Sequence, residues 1–232
     1  PDGTQRWVHT IGEPVLEDGT VVEIRGSVQD ITAQKQRELA LESLHDSARG
    51  LLTTESIDDA TRLIVDTAAS LLDQAAVGIY LYDETTNLLE PASMSPGFEA
   101  LCGGEPGAVG PGTESFLWHA YVTGTQSVLE GVDTSGESGP FVDAVDTGIV
   151  VPIGSYGVFA ALDEAGEIAE EDRSLVETLV ATAAAAFERL ESEATLRERE
   201  AEIEAQNDRL RRQIRANETI RSVDQTLIGA TD

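Results

Sequence analysis

An alternation of apolar and polar residues at the start of the chain predicts a β-hairpin. Its strands are expected over residues 4–11 and 21–28, and an Asp-Gly pair between them supplies the turn. On the second strand Val22, Ile24 and Val28 share one face. An isolated hairpin is only marginally stable in water, so this apolar face needs a partner from elsewhere in the protein.

From residue 33 the apolar spacing changes to the helical period and predicts two helices in succession. The first carries an apolar stripe up to Leu51. For the second, Ser56 is the predicted N-cap, and Asp58 and Asp59 are favourable in the first turn because they face the positive end of the helix dipole. The pair of helices therefore connects the hairpin to the segments that follow.

Short apolar runs separated by turn residues predict five strands through the middle of the chain. They are expected at residues 76–82, 88–92, 126–130, 148–153 and 157–162. A stretch rich in Gly and Pro over residues 95–113 is predicted to be a loop. A short helix is predicted over residues 114–123, ended by Gly124.

The last part of the chain predicts one long helix from Ile168 to about Arg221. At 1.5 Å per residue this helix would be about 80 Å long, which exceeds the usual length of a helix inside a globular domain. Strands that alternate with helices, framed by helices at both ends, predict an α+β fold with one central antiparallel sheet and flanking helices.

Acidic residues dominate the charge and are spread along the whole chain. There are 43 Asp and Glu residues against 15 Lys and Arg residues, of which Lys35 is the single lysine, and the formal net charge is −28. Such a surface repels itself at ordinary ionic strength, whereas molar salt shortens the screening length to roughly 3 Å. We therefore expect a protein from a salt-loving organism that makes no direct contact with nucleic acid.

The composition also narrows the possible chemistry. Cys102 is the only cysteine, which excludes an intrachain disulfide and a thiolate-rich metal site. His9 and His45 have no partner at ligand spacing, so no metal is predicted. No apolar run approaches the roughly 20 residues that span a bilayer, so we expect a cytoplasmic protein with no membrane contact.

Two motifs in the hairpin region carry a resemblance to a known family. Asp-Gly-Thr-Gln-Arg-Trp-Val at residues 2–8 and Gly-Ser-Val-Gln-Asp-Ile-Thr at residues 26–32 resemble the C-terminal hairpin of a PAS domain. In that family Asp-Ile-Thr stands where the sheet passes into an output helix, which implies a signal-relay role for Asp30, Ile31 and Thr32. The match spans about the last third of a PAS domain and implies no PAS cofactor.

A second set of motifs follows in a recognisable order. They are Gly-Ile-Tyr-Leu-Tyr-Asp at 78–83, Gly-Thr at 112–113, Tyr-Val-Thr-Gly-Thr at 121–125, Val-Val-Pro-Ile at 150–153 and Gly-Val-Phe at 157–159. Together with the preceding helix pair, these motifs make residues 40–190 resemble a GAF domain. The resemblance implies a GAF-like central antiparallel sheet and a small-molecule pocket between the sheet and its covering helices.

The motifs of the long helix point to a larger signalling protein. Residues 196–200 and 215–221 resemble the linker of haloarchaeal sensor–regulators related to the bacterio-opsin activator, which carry a helix-turn-helix beyond it. The resemblance implies the sensory part of a transcription regulator; the alternative is the input module of a halophilic sensor histidine kinase, whose PAS–GAF front end is similar. The chain begins without Met, and we expect it to be part of a longer protein.

These resemblances divide the chain into five parts, two of which overlap. The expected parts are the PAS hairpin at 1–33, a connecting helix at 34–54, the GAF domain at 40–190, a coiled-coil linker helix at 191–226 and the start of a further domain at 227–232.

Aromatic residues on the short helix are the candidates for contact with a small ligand. Phe116, Trp118 and Tyr121 would frame a planar molecule, with His119 as a titratable donor and Tyr80 on a neighbouring strand. The alternative is that the aromatic side chains pack in the core and that the imidazole is satisfied or exposed.

No particular cofactor or reaction is indicated by these residues. The cyclic-nucleotide signature of GAF domains begins with Asn-Lys, and the GAF-like region contains no lysine. Cys102 is followed by two glycines rather than by the His that often accompanies a bilin attachment site, and no basic residue near it in sequence would activate the thiol. A methionine sulfoxide reductase on a GAF-like scaffold would need reactive cysteines, so we expect no catalysis.

The long helix carries a candidate dimer interface. Leu196, Ile203 and Leu210 recur every seven residues, and Ile214 lies four residues further on. This spacing indicates a weak heptad seam. It predicts a parallel homodimer in which this helix, and the first helix after the hairpin, pair with their copies.

Overall fold

The structure is a computed structural model that describes residues 6–18, 20–72, 76–113, 115–132, 141, 145–163 and 169–229. The contacts within the chain divide it into two compact units, Pro1–Ala186 and Phe187–Asp232. The first unit holds every strand and the shorter helices.

The predicted hairpin is present as strands β1 (Val8–Glu17) and β2 (Thr20–Asp30), paired antiparallel. The first strand begins at Val8 and ends at Glu17, so it lies further along the chain than the predicted residues 4–11, of which 4 and 5 fall outside the described residues. The second strand extends beyond the predicted residues 21–28 at both ends, and the register shifts once, between Val15 and Leu16. The apolar face formed by Val22, Ile24 and Val28 is 52–72% exposed. Within the described residues, therefore, this face lacks the partner that the sequence requires.

Two helices follow the hairpin, as predicted: α1 (Thr32–Leu51) and α2 (Ile57–Leu71). The N-cap prediction is confirmed, because the Ser56 hydroxyl accepts a hydrogen bond from the Asp59 N–H at 3.1 Å. The same hydroxyl donates to the Asp59 carboxylate at 2.7 Å. Ala60, Ile64 and Ala68 are fully buried at helical spacing, and α2 packs on strands of the central sheet.

The central sheet has five antiparallel strands in the order β4-β3-β7-β6-β5. They are β3 (Ala76–Asp83), β4 (Leu88–Met94), β5 (Ser127–Val132), β6 (Val145–Pro152) and β7 (Gly157–Asp163). The five predicted strands and the α+β fold with a central antiparallel sheet are confirmed. The interior strands β3 and β7 are buried over most of their length, which agrees with their nearly continuous apolar sequences.

The stretch predicted to be a loop contains a short helix, α3 (Pro96–Leu101), so this part of the prediction is wrong. The Ser95 hydroxyl caps it by accepting from the Phe98 N–H at 3.4 Å, and it also accepts from the Val77 N–H of β3 at 2.9 Å. Ser95 followed by Pro96 is a helix-start signal that the surrounding glycines obscured.

The remaining two helices lie where the sequence predicts them. Helix α4 (Phe116–Thr123) begins after Ser115 and ends at Gly124, which adopts the left-handed conformation with φ 63°. Helix α5 spans Glu170–Gly229, so the long exit helix is confirmed.

Candidate functional site

Aromatic and aliphatic side chains from α3, α4 and one face of the sheet form a buried cluster, called here the aromatic cluster. Tyr80 of β3, Phe98 of α3 and Leu117 of α4 are fully buried in it. Partly buried members pack against it, namely Tyr82, Met94, Cys102, Phe116, Trp118 and Tyr121. The aromatic cluster therefore extends from the interior of the first unit to its surface.

One group of rings connects the sheet to the start of α4. The Phe98 ring centroid lies 6.2 Å from that of Tyr80 and 5.5 Å from that of Phe141. Phe116 stacks on Phe141 at 5.4 Å with an angle of 4° between the ring planes. These contacts lie in the range of favourable aromatic pairs, so the four rings form a continuous wall.

A second group of rings lies nearer the surface. Tyr82 stacks on Tyr121 with 4.8 Å between the ring centroids. The Trp118 ring centroid lies 6.4 Å from that of Tyr82 and 5.8 Å from that of Tyr121. Both tyrosine hydroxyls in this group have acceptors, since Tyr82 donates to the Asn87 side-chain oxygen at 2.8 Å and Tyr121 to the Ser155 carbonyl at 3.2 Å.

The hydroxyl of Tyr80 differs from both. It is fully buried and has no hydrogen-bond partner among the residues that the structure describes. Burial raises the pKa of Tyr80, and the proximity of Cys102 raises it further. A buried hydroxyl without a partner costs about 1–3 kcal/mol, so this group is the unusual polar feature of the aromatic cluster.

Cys102 lies at the C-terminal end of α3, against the aromatic cluster. Burial, and then the nearby Glu99 carboxylate, raise its thiol pKa to about 11. The thiol is therefore protonated near neutral pH, whereas a nucleophilic cysteine reacts as the thiolate.

The structure brings most of the predicted ligand-contact residues together. Tyr80, Phe116, Trp118 and Tyr121 all belong to the aromatic cluster. His119 is exposed and lies outside it. His119 follows Trp118 directly on α4. Successive helical positions are rotated by about 100°, so the His119 side chain leaves the helix in a different direction from that of Trp118.

The ligand candidates from the sequence omit three aromatic members of the aromatic cluster: Phe98, Phe141 and Tyr82. Tyr82 could have been predicted from the sequence, because residues two apart on a strand share a face and Tyr80 is a candidate. Phe98 lies in the stretch for which the sequence predicts a loop, and Phe141 has no sequence signal that places it against Phe116.

The junction between the hairpin and α1 is held by hydrogen bonds of the predicted relay motif. The Ile31 N–H donates to the Trp7 carbonyl at 2.9 Å, and the Trp7 N–H donates to the Thr32 hydroxyl oxygen at 2.9 Å. The Thr32 N–H donates to the Asp30 carboxylate at 2.9 Å. Hydrogen bonds from Thr32, with a contribution from Arg6 at 3.6 Å, lower the pKa of Asp30.

A bidentate ion pair joins the entrance and exit helices within the first unit. The Arg37 guanidinium of α1 donates to both oxygens of Glu171, in the first turn of α5, at 3.1 and 2.5 Å. The pair raises the pKa of Arg37 and lowers that of Glu171. Both side chains are largely exposed, so the pair is a weak link that salt screens.

The predicted seam lies on the surface of the second unit. Leu196, Ile203 and Leu210 are 57%, 58% and 55% exposed. Glu193 forms ion pairs with Arg189 at 2.6 Å and Arg197 at 3.1 Å along the same helix. The side chain of Ile214 lies outside the described residues.

The described part of the chain offers neither a metal site nor a membrane span. It contains no group of three or more His, Cys, Asp and Glu side chains placed to hold a metal ion. It also contains no helix that combines the length and apolarity needed to cross a membrane.

Comparison with known proteins gives a family and a fold. The family model described as GAF domain matches residues 54–188, more than half of the chain. No curated protein matches the chain.

Several solved structures resemble this one. The free methionine-R-sulfoxide reductase from Neisseria meningitidis, in complex with its substrate, has a TM-score of 0.56 at 19% identity, over 67% of this chain and 92% of that chain. The GAF domains of phosphoenolpyruvate-protein phosphotransferases are also similar. The domain from Coxiella burnetii has a TM-score of 0.55 at 13% identity, over 67% of this chain and 96% of that chain. The domain from Acinetobacter has a TM-score of 0.53 at 16% identity, over 66% of this chain and 95% of that chain. At these identities the likeness concerns the fold alone.

Proposed function

Because this chain belongs to the GAF domain family, which is typical of sensory signalling proteins, we propose that it is the sensory module of a haloarchaeal transcription regulator of bacterio-opsin activator type. In this proposal the GAF domain senses a small ligand or relays the state of a PAS domain. The signal passes through dimeric helices to an output domain outside this chain. The chain itself is a cytoplasmic protein that performs no catalysis.

The hairpin junction supports the relay. Asp30, Ile31 and Thr32 tie the end of β2 to Trp7 and to the first turn of α1 by short hydrogen bonds. A displacement of the hairpin therefore acts directly on α1. The apolar face of the hairpin, which is exposed in this structure, is where the remainder of a PAS domain would pack.

The heptad pattern of α5 supports a parallel homodimer. If Leu196, Ile203 and Leu210 occupy d positions, Ile214 falls at an a position, whereas the other a positions hold Glu193, Glu200 and Asn207, so the seam is apolar mainly at d. In the same frame Arg199 at g faces Glu204 at e of the second copy, an attractive pairing. The exposure of the three apolar residues is the observation that carries this part of the proposal.

The state of Cys102 supports a sensor rather than a reductase. A cysteine-based reductase needs a thiolate, and this thiol has its pKa raised by burial and by Glu99. Cys102 is also the sole cysteine, so no resolving thiol is available within the chain.

The output domain distinguishes the proposal from its alternative, and the coding sequence beyond Asp232 tests it. A helix-turn-helix there supports the regulator, with the DNA contacts outside this acidic chain. A phospho-acceptor His followed by a Gly-rich ATP-binding domain would instead establish the input module of a sensor histidine kinase.

A further inference from the structure

Five exposed residues of α5 form a straight line along the helix, called here the charged stripe. They follow one another at intervals of four, three, four and three residues, and they are Glu198, Glu202, Ala205, Arg209 and Arg212. At about 100° per residue, this spacing keeps all five within roughly 80° of the helix circumference. Two carboxylates precede the alanine and two guanidinium groups follow it, so the charged stripe has an acidic half and a basic half.

The charges of the stripe are not compensated within the described part of the chain, where no ion pair joins any of its four charged side chains. The Glu202 carboxylate accepts a hydrogen bond from the Gln206 side-chain amide at 3.4 Å. The Arg212 guanidinium donates to the Asp208 backbone carbonyl at 3.2 Å. Neither contact supplies an opposite charge, so both halves of the charged stripe remain available to an ionic partner.

The exit helix is also the part of the chain where two copies repel each other least. Residues 187–212 hold 8 acidic and 6 basic side chains, whereas the whole chain has a net charge of −28. Most of the repulsion between two chains therefore arises outside this segment. A contact between copies through the charged stripe meets little opposing charge.

We propose that the charged stripe is an interface at which a second copy of the chain pairs with α5 in antiparallel orientation. A two-fold axis at Ala205 places Glu198 opposite Arg212 of the second copy, and Glu202 opposite Arg209. The axis repeats both pairs, so one crossing holds four Glu–Arg pairs. The small side chain of Ala205 lets the two helices approach closely at the centre.

This contact differs from the parallel seam. Parallel pairing of the charged stripe in register would place Glu on Glu and Arg on Arg, which is repulsive. Leu196, Ile203 and Leu210 lie on roughly the opposite side of α5, so one helix can form both contacts. The inference therefore adds an assembly step beyond the relay proposed above, in which parallel dimers associate side by side.

The salt concentration determines whether the pairing forms. Exposed Glu–Arg pairs are individually weak and are screened by salt. At about 0.3 M KCl the screening length is roughly 5 Å, so the four pairs still attract, whereas at about 2 M it is below 3 Å and dilute chains no longer pair in this way. Assembly through the charged stripe is therefore a response to falling salt concentration.

Charge reversal tests the pairing by sedimentation equilibrium of the 232-residue chain at about 0.3 M KCl, with protein up to about 0.5 mM. One variant combines Glu198→Arg with Glu202→Arg, and the other combines Arg209→Glu with Arg212→Glu. Each variant alone should associate through the stripe at least about 10-fold more weakly than the unsubstituted chain, because all four of its charges have the same sign. An equimolar mixture of the two should restore the association, because one supplies four cations and the other four carboxylates.

The chain that carries all four substitutions is the matched control. It keeps the net charge of −28 and reverses the direction of the stripe, so it should associate as strongly as the unsubstituted chain. Equal masses for the unsubstituted chain and both double variants would overturn the proposal, and so would a mixture or a fourfold variant in which the association does not return. All these variants retain the apolar seam, which disulfide trapping at residue 203 tests separately, so failure of this inference is distinct from failure of the proposed relay.

Discussion

At the scale of single residues, three tyrosines in one cluster have different environments. The hydroxyls of Tyr82 and Tyr121 donate to protein oxygens, whereas that of Tyr80 is buried without an acceptor in the described part of the chain. The stability of the ligand-free chain should reflect this difference, because hydroxyl removal has opposite consequences when the group is paired and when it is not.

Tyr80→Phe should stabilise the ligand-free chain by about 1 kcal/mol, since it removes an unsatisfied buried hydroxyl without changing the packing of the ring. Tyr82→Phe is the matched control, and it should destabilise the chain by about 0.5–1 kcal/mol because it loses the bond to Asn87. Urea unfolding at a fixed KCl concentration measures both. A loss of stability in Tyr80→Phe would show that the hydroxyl has a partner in the ligand-free protein.

Asp30 should titrate below the usual aspartate pKa of about 3.9. Its folded-state pKa is lowered, so its contribution to stability is present above the unfolded pKa and is lost as the pH falls through the folded value. The largest cause is a hydrogen bond from the Thr32 side chain, which Thr32→Val removes while it keeps the Thr32 N–H, and the charge of Arg6 is the smallest cause. Thr32→Val should therefore raise the Asp30 pKa more than Arg6→Gln does. Carboxyl NMR titration gives the order, and the reverse order would contradict the described junction.

At the scale of elements, local chemistry decides where helices begin. Ser56 caps α2 and Ser95 caps α3, each by accepting from the N–H three residues later. The first was recognisable because an amphipathic stripe follows it, whereas the second precedes only six helical residues, which include Gly97 and are followed by Gly103 and Gly104.

Ser56→Ala should destabilise the first unit by about 1 kcal/mol, because the N-terminal N–H of Asp59 loses its acceptor. Ser70→Ala in the same helix is the control. The Ser70 hydroxyl donates to the carbonyl of Asp66, one turn earlier in the same helix, and does not cap a helix end. The free energy of unfolding should therefore change by no more than about 0.5 kcal/mol. Equal effects in urea unfolding would argue against the cap.

The sequence predicted elements well and contacts between distant elements poorly. The strands of the central sheet, α2 and α5 follow from periodicity, which is a local property. The stack of Phe116 on Phe141 joins residues on either side of β5, and the pairing of Arg37 with Glu171 joins the two ends of the first unit. Such contacts depend on strand order and helix placement, so residue spacing does not indicate them.

At the scale of the whole molecule, charge is the dominant property. With a net charge of −28, self-repulsion opposes the compact state until salt screens it. The melting temperature should therefore rise as KCl increases from about 0.1 M to about 2 M, where the screening length falls to a few ångströms. Sorbitol at equal osmolality is the control and should stabilise less. A melting temperature highest at low salt would contradict adaptation to a salty cytoplasm.

The central claim is that the chain signals as a parallel dimer through α5, and disulfide trapping tests it most directly. Ile203→Cys is placed on the seam and Ala205→Cys on the opposite side of the same helix, each in a Cys102→Ser background at about 2 M KCl, where repulsion between chains is screened. Oxidation of dilute protein should convert the Ile203→Cys chain to a covalent dimer and leave the Ala205→Cys chain monomeric. Equal cross-linking of the two, or none at residue 203, would contradict a parallel in-register seam.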